Sequence, residues 1–410
     1  MRSLLTCLLF VVAHGALAQD VLIRGATVHT NTDGGTLTSA DVLVSDGRIA
    51  QIGTDIDATS DINIVEANGR ALTPGLFGGL SAIGIEEVTL EPTTADSMLL
   101  LLAPPFEMQW RPEFDVTTAF NPHSVLVPVA RVEGLTWTVL APGSAEGGSI
   151  LAGQGAAVSL DGRFDAVLDG THSLFVTLGG TANVLSGGSR AAHWMFLEQA
   201  VREARSRGAV DDNALLRPLG REALAKYLSG GRVVFRVARA SDIRQAVAFA
   251  KRHGMKPVIA GGAEAWVVAD ELAEQQVPVL LDALQNLPST FDAIGARLDN
   301  AVLLHRAGVT IAFTQFGESH NARKIRQLAG NAVAHGLPKD VALAAITQTP
   351  ARIFGISNRG QIAPGQLADL VLWSGDPLEV TSAADQVWIA GRAIEMRSRQ
   401  TELRDRYLSK

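Results

Sequence analysis

The sequence predicts an α/β protein. Repeated strand–helix units form a parallel sheet, open or closed into a barrel, and a small β-sandwich is built from both chain ends. Three observations carry this. The middle of the chain alternates short apolar strands with capped amphipathic helices. Both ends hold short strands punctuated by glycine, and neither end is long enough to bury a sandwich core by itself. At 410 residues the chain has room for one large domain and one small one.

Taken in order, Met1-Arg2-Ser3 is followed by an apolar run over residues 4–12 and then by Ala16-Leu17-Ala18. A basic start, a short apolar stretch and a small-x-small site read as a signal peptide spanning 1–18, with Gln19 as the first mature residue. The protein is therefore expected to be exported, periplasmic or secreted. The only cysteine, Cys7, lies inside that segment, so the mature chain is expected to have no thiolate ligand or nucleophile. No other stretch is long and apolar enough for a membrane span. The charge is −7, from 35 basic and 42 acidic residues, with no run of Lys or Arg. Nucleic acid is excluded as an expected partner.

Residues 21–28, 41–44 and 49–53 read as strands, the last two joined by Asp46-Gly47. Near the other end, 368–373 and 387–392 read the same way. The composite sandwich is thus expected to comprise 19–72 and 359–400, with 73–358 as the strand–helix body. Within the body, Ser189 caps a helix stopped by Gly208. A strand over 232–237 is followed by a helix over 242–253, capped by Ser241 and ended by Gly254. Strands over 256–260, 277–281 and 309–313 alternate with helices over 264–275 and 299–307. Two last helices cover about 321–335 and 338–354. The strands are continuous apolar runs, which suits a sheet buried on both faces. Residues 84–190 hold many Gly and Pro and read as early units with long loops, including a strand over 135–140.

Three stretches carry a family resemblance. One is the strand-rich start leading into Ala71-Leu72-Thr73-Pro74-Gly75-Leu76. Another runs from Gly308-Val309 to Ala344-Ala345-Ile346-Thr347-Gln348-Thr349-Pro350-Ala351. The third is Gly360-Gln361-Ile362-Ala363-Pro364-Gly365-Gln366-Leu367-Ala368-Asp369-Leu370-Val371. With these the chain resembles the amidohydrolase superfamily, in its imidazolonepropionase-like and dipeptidase-like members. The resemblance implies a TIM-like (β/α)8 barrel and zinc-dependent hydrolysis of non-peptide or dipeptide C–N bonds. In such proteins Pro-Gly-Leu runs on into an Asp and a His-x-His pair. A bridging Lys or Glu, two further histidines and a late Asp complete the metal site.

This sequence departs from that pattern. The Asp position falls on Gly78, and the two histidines fall on Leu80 and Ala82. The strand ends at Phe235-Arg236-Val237-Ala238 and Ala260-Gly261-Gly262 offer no histidine, and Gln315 stands near the late Asp. Side chains without donor atoms cannot hold zinc. No metal ligand is assigned, and no cofactor is expected.

Of the mature histidines, 193, 253, 305 and 335 fall on helices and read as outer-surface residues, His29 belongs to the sandwich, and His123 and His172 lie in loops. His320 follows the late strand, on the face where barrel sites form. With Glu318 and Glu264 it makes the candidate catalytic set. The bland reading of Glu264 is a cap on the helix it precedes. Arg236, an arginine inside an apolar strand, together with Gln315 and Glu86 forms the candidate substrate-binding set. A buried guanidinium calls for a carboxylate partner.

Two functions are expected to compete. One is an exported amidohydrolase-like protein that has lost metal-dependent catalysis. It would act by binding a small molecule, or by assembly as a homo-oligomer or a hetero-oligomer with an active amidohydrolase. The other is an active hydrolase of a small amide, cyclic amide or dipeptide with an atypical site.

Overall fold

The computed structural model describes residues 20–408 except 58–61, 100–109, 145–148, 209, 211–212 and 286. The expected signal segment 1–18 lies outside the described residues. The fold is mixed α/β. Five strands open it: β1 (Val21–His29), β2 (Thr36–Ser45), β3 (Arg48–Gly53), β4 (Asn63–Glu66) and β5 (Ala71–Pro74). The body holds β6 (Leu76–Ser81), β7 (Leu135–Leu140), β8 (Leu151–Gly155), β9 (Ala157–Ser159), β10 (Ser173–Thr177) and β11 (Arg232–Val237). It continues with β12 (Lys256–Gly261), β13 (Val279–Leu281) and β14 (Ile311–Phe313). Then come β15 (Leu370–Trp373), β16 (Ala384–Ile389) and β17 (Arg392–Ala393).

Strands from both chain ends share one eight-stranded sheet, ordered β17-β16-β15-β5-β1-β2-β3 with β4 beside β1. The join is β5, parallel to β1 and antiparallel to β15 through Leu370↔Pro74 and Leu372↔Leu72. The β2–β3 turn is made by Asp46 and Gly47, both at positive φ, 51° and 75°. That matches the right-handed twist of a tight hairpin, which is why Asp-Gly marked it in the sequence.

A buried ion pair fastens this sheet to the body. Arg359 donates to Asp369, and both side chains are almost fully removed from water. The other Asp369 oxygen accepts from the Ala390 amide at 2.8 Å, and its carbonyl accepts from Gly75 at 2.8 Å. Arg359 also reaches Ser159 in β9, at 3.5 Å. A Cβ on Gly75 would lie 2.3 Å from Thr136, so no side chain fits at this crossing.

In the body, β10 to β14 are parallel in chain order, and β8 pairs antiparallel with β10. A smaller sheet holds β6, β7 and β9. One face of these strands packs Phe77, Trp137, Phe175, Val234, Val258, Leu280 and Ala312 into one apolar cluster. The alternate residues, among them Leu174, Val233, Phe235, Ile259 and Ile311, pack under the helices. Side chains of a strand alternate between faces, so the continuous apolar runs fill both layers.

Several expected helices differ at their ends. Ser189 caps the helix Arg190–Arg205, accepting from Ala192. The helix after β11 is Ala240–His253, which starts two residues earlier than expected, and Ser241 does not cap it. Its first amide, Ala240, donates instead to Glu264 at 3.0 Å. Glu264 thus serves a helix remote in sequence, not the one it precedes, where it makes no cap bond. The helix expected over 338–354 is split into Lys339–Ala344 and Gln348–Ile353. The break occurs where the carbonyls of Ala345 and Ile346 accept from Phe313 and Phe77. These carbonyls serve the strands on either side and cannot also continue a helix.

Two histidines read as outer-surface residues are buried, His193 and His253. His253 bonds Glu198 at 3.0 Å and stacks edge-on against Phe249. His193 lies under its helix, where burial holds its pKa down. His172 pairs with Asp115 at 3.4 Å. The hydrogen bond that His172 donates to Asp115 raises the His172 pKa, against the opposing effect of burial. Burial pushes Asp115 up, but bonds from His172 and Thr117 more than offset it, and its pKa is lowered.

Two outcomes are expected. Arg359→Met leaves Asp369 charged and buried, and should cost about 3–5 kcal/mol in denaturant unfolding; a loss under about 1 kcal/mol would show that the pair is not the fastening. The second concerns pH. The His172 contribution is complete below the ordinary value of 6.5 and lost as pH rises through its raised pKa. The Asp115 contribution is present above 3.8 and lost as pH falls through its lowered pKa. The melting-temperature gap between the native chain and His172→Gln should therefore be widest near about pH 5 and narrow by about pH 8.5.

Candidate functional site

The C-terminal ends of parallel strands and the loops that follow them are where α/β sheets bind ligands. Here those ends enclose a cavity of about 390 Å³. Its floor comes from the end of β6, Leu80, Ser81 and Ala82, with Thr177 of β10 and Arg236 of β11. Loops supply Glu86, Ser97 and Met98 on one side, and Ala141, Ser144, Phe316 and Ser319 on the others. Two clefts of about 470 Å³ lie elsewhere, one between the helix Ala240–His253 and residues 268–275, the other beside the β1–β2 turn. Neither is lined by the strand ends.

Local bonds fix the cavity walls. The Leu80 amide donates to Thr314 Oγ1 at 2.8 Å, and the Ala82 amide to Ser319 Oγ at 3.0 Å. These two bonds hold the end of β6 against the loop after β14. Gly79, at φ 80°, lies so close to Thr314 that an added Cβ would be 2.8 Å from its hydroxyl. The strap carrying Ser97 and Met98 is tied across the mouth by the Gly143 amide, which donates to the Ser97 carbonyl at 2.8 Å.

Arg236 occupies the sheet position between Thr177 and Ala260, two residues beyond the core residue Val234. Its guanidinium is enclosed by protein and exposes surface only in part. Among the described residues it donates one hydrogen bond, to the Pro142 carbonyl at 2.5 Å, and lies 5.4 Å over the Phe175 ring. The carboxylate partner expected for a buried guanidinium is not found among the described residues. Burial pushes its pKa down to about 10, which leaves it charged at neutral pH. Glu86 is a buried residue of the same cavity lining, with one oxygen accepting from Thr89.

The structure therefore brings together two of the expected site residues, Arg236 and Glu86, and not the others. His320 and Glu318 pair with each other at 3.2 Å on the surface, each about half exposed. Ser319, between them, is the residue that turns inward. Gln315 is buried but folds back on its own loop, accepting from the Gly317 amide at 2.6 Å. Both oxygens of Glu264 take backbone amides, from Ala240 at 3.0 Å and Gly295 at 3.1 Å. The catalytic trio does not converge on the cavity.

Sequence reasoning missed Ser319, Thr177 and Ser144, the last two hydrogen-bonded to each other at 2.9 Å. It also missed Asp282, just past β13, whose pKa burial raises although it accepts from the Leu284 and Phe316 amides. Position at the C-terminal end of a strand marks Thr177, and position immediately after one marks Asp282.

The donor set does not fit zinc. The residues at the two positions expected to hold histidine, Leu80 and Ala82, do face the cavity, but they present only carbon. Among the described residues, no group of three His, Cys, Asp or Glu side chains is placed to hold a metal ion.

Comparison with known proteins gives a consistent picture. A model described as amidohydrolase family matches residues 334–394. An adenine deaminase of Deinococcus deserti is 27% identical over 368 residues, 88% of this chain. Amidohydrolase tasK of Hapsidospora irregularis is 38% identical over 92 residues. The chain spans 58% of the deaminase's length and 9% of tasK's. An amidohydrolase structure from Thermotoga maritima MSB8 superposes with a TM-score of 0.77 at 25% identity, covering 92% of this chain and all of that one. The composite sheet, the parallel strands and these matches lead to one conclusion: the chain belongs to the amidohydrolase superfamily.

Proposed function

We propose that this protein uses the amidohydrolase scaffold to bind a small molecule, without metal-dependent hydrolysis. The observation that carries the reading is the pair Leu80 and Ala82. They line the cavity at the positions where the family resemblance calls for histidines. Losing one ligand weakens a metal site; replacing both members of a His-x-His pair by hydrocarbon removes its anchor. The bound molecule acts either directly or by setting assembly with a second copy or an active relative. Fold membership alone supplies no activity, because function resides in the site.

The proposal includes a closed barrel. Residues 345–346 bond to both β14 and β6, and the β8–β9 segment bonds β10 on one side and β7 on the other. Those two seams would join the two sheets of the body into a ring. The composite sheet would then wrap as the small sandwich. The proposal also includes export, with cleavage after Ala18.

Elemental analysis of the purified full-length protein should find zinc far below one equivalent, and chelation should leave its melting temperature unchanged. Screens against dipeptides, N-acyl amino acids, cyclic amides and adenine should show no chelator-sensitive turnover. Near-stoichiometric zinc with such turnover would overturn the binding reading. Export is checked by mass: protein recovered outside the cytoplasm should begin at Gln19, and an intact Met1 there would refute cleavage.

A further inference from the structure

We infer that the cavity binds a small zwitterion of the amino-acid or dipeptide type, its carboxylate held by Arg236 and its ammonium by Glu86, with an apolar side chain against Leu80 and Phe316. The inference rests on the binding reading above and names the ligand class.

The charges come first. Arg236 and Glu86 line the same cavity, yet they form no ion pair within 4 Å of each other. A guanidinium has five N–H donors, and only one of those of Arg236 has an acceptor among the described residues. A charge held in such surroundings is costly until something neutralises it. A carboxylate matches the planar fork of arginine with two parallel bonds. Thr177 and Ser144 line the same cavity and are bonded to each other, which leaves one of their two hydroxyl hydrogens free to donate to it.

Glu86 decides between anions. A phosphate or dicarboxylate would meet a second negative charge in a confined space. A molecule with one carboxylate and one ammonium leaves the cavity neutral. The rest of the lining joins Ser81, Ser97 and Ser319 to an apolar patch of Leu80, Ala82, Met98 and Phe316, which gives an aliphatic side chain a place out of water. A volume of about 390 Å³ has room for roughly a dozen water-sized groups. That suits an amino acid or small dipeptide.

Calorimetric titration of the full-length protein, with its zinc content measured beforehand, tests this. The probes are leucine, leucyl-glycine, N-acetylleucine and leucinamide. The two zwitterions should bind about tenfold or more tightly than the singly charged analogues. Glu86→Gln should erase the preference for leucine over N-acetylleucine. Arg236→Lys should weaken all three carboxylate-bearing probes about tenfold and leave leucinamide unaffected. Circular dichroism and melting temperature certify that each variant is folded, and Glu86→Gln alone suffices if Arg236→Lys is not. Equal binding of all four probes, binding of none, or a preference unchanged in Glu86→Gln would overturn the inference in metal-free protein. A zinc-loaded protein would instead overturn the reading beneath it.

Discussion

A carboxylate and a guanidinium, both taken out of water, hold the ends of this chain to its middle. Each would be unfavourable in the interior alone, and together they are tolerated only while their bonds are complete. Asp369 meets that condition by using every acceptor it has. Its side chain takes Arg359 and the Ala390 turn, and its carbonyl takes Gly75. The Gly75 contact carries the effect to the site. Gly75 is the single residue between β5 and β6, and the far end of β6 forms the cavity floor. The position of Leu80 and Ala82 is thereby tied to a pair at the opposite end of the strand.

The frame of the cavity is built from backbone bonds rather than from the side chains at positions 80 and 82. Backbone bonds from Leu80 and Ala82 to Thr314 and Ser319 keep the strand ends in register. None of those bonds depends on what the side chains at 80 and 82 carry. Hydrocarbon therefore sits at positions where donors are expected, with no disturbance of the frame. Arg236 and Glu86 supply the charge in the cavity, beside the hydroxyls of Ser81 and Thr177.

Much of the fold was legible because it rests on local signals. Asp46-Gly47 announced a hairpin, Ser189 a helix start, and apolar runs the buried strands. Arg236 stood out in the sequence because a charge inside an apolar strand has few explanations, and the structure places it in the cavity lining. What failed to show was set by tertiary geometry. Glu264 finds its amides on segments far away in sequence, so its neighbours suggest the wrong helix. His320 and Ser319 are adjacent, and only the direction of a short 3-10 turn decides which one faces inward. His193 and His253 lie on the inner side of their helices, where histidine identity alone argued for the outside. The late helix broke because two of its carbonyls were required by strands on either side.

The composite sheet has a consequence for the order in which the molecule can be completed. Strand β5 pairs with β1 at once, but its other edge waits for β15, which is made much later in the chain. Until residue 370 has emerged, that edge presents unpaired amides and carbonyls to any neighbouring strand. Pairings this distant in sequence are slow to form, because a long loop must close first. A ribosome-bound or truncated chain that lacks β15 thus carries an open strand edge, and β15, once made, guards that edge against stray pairing.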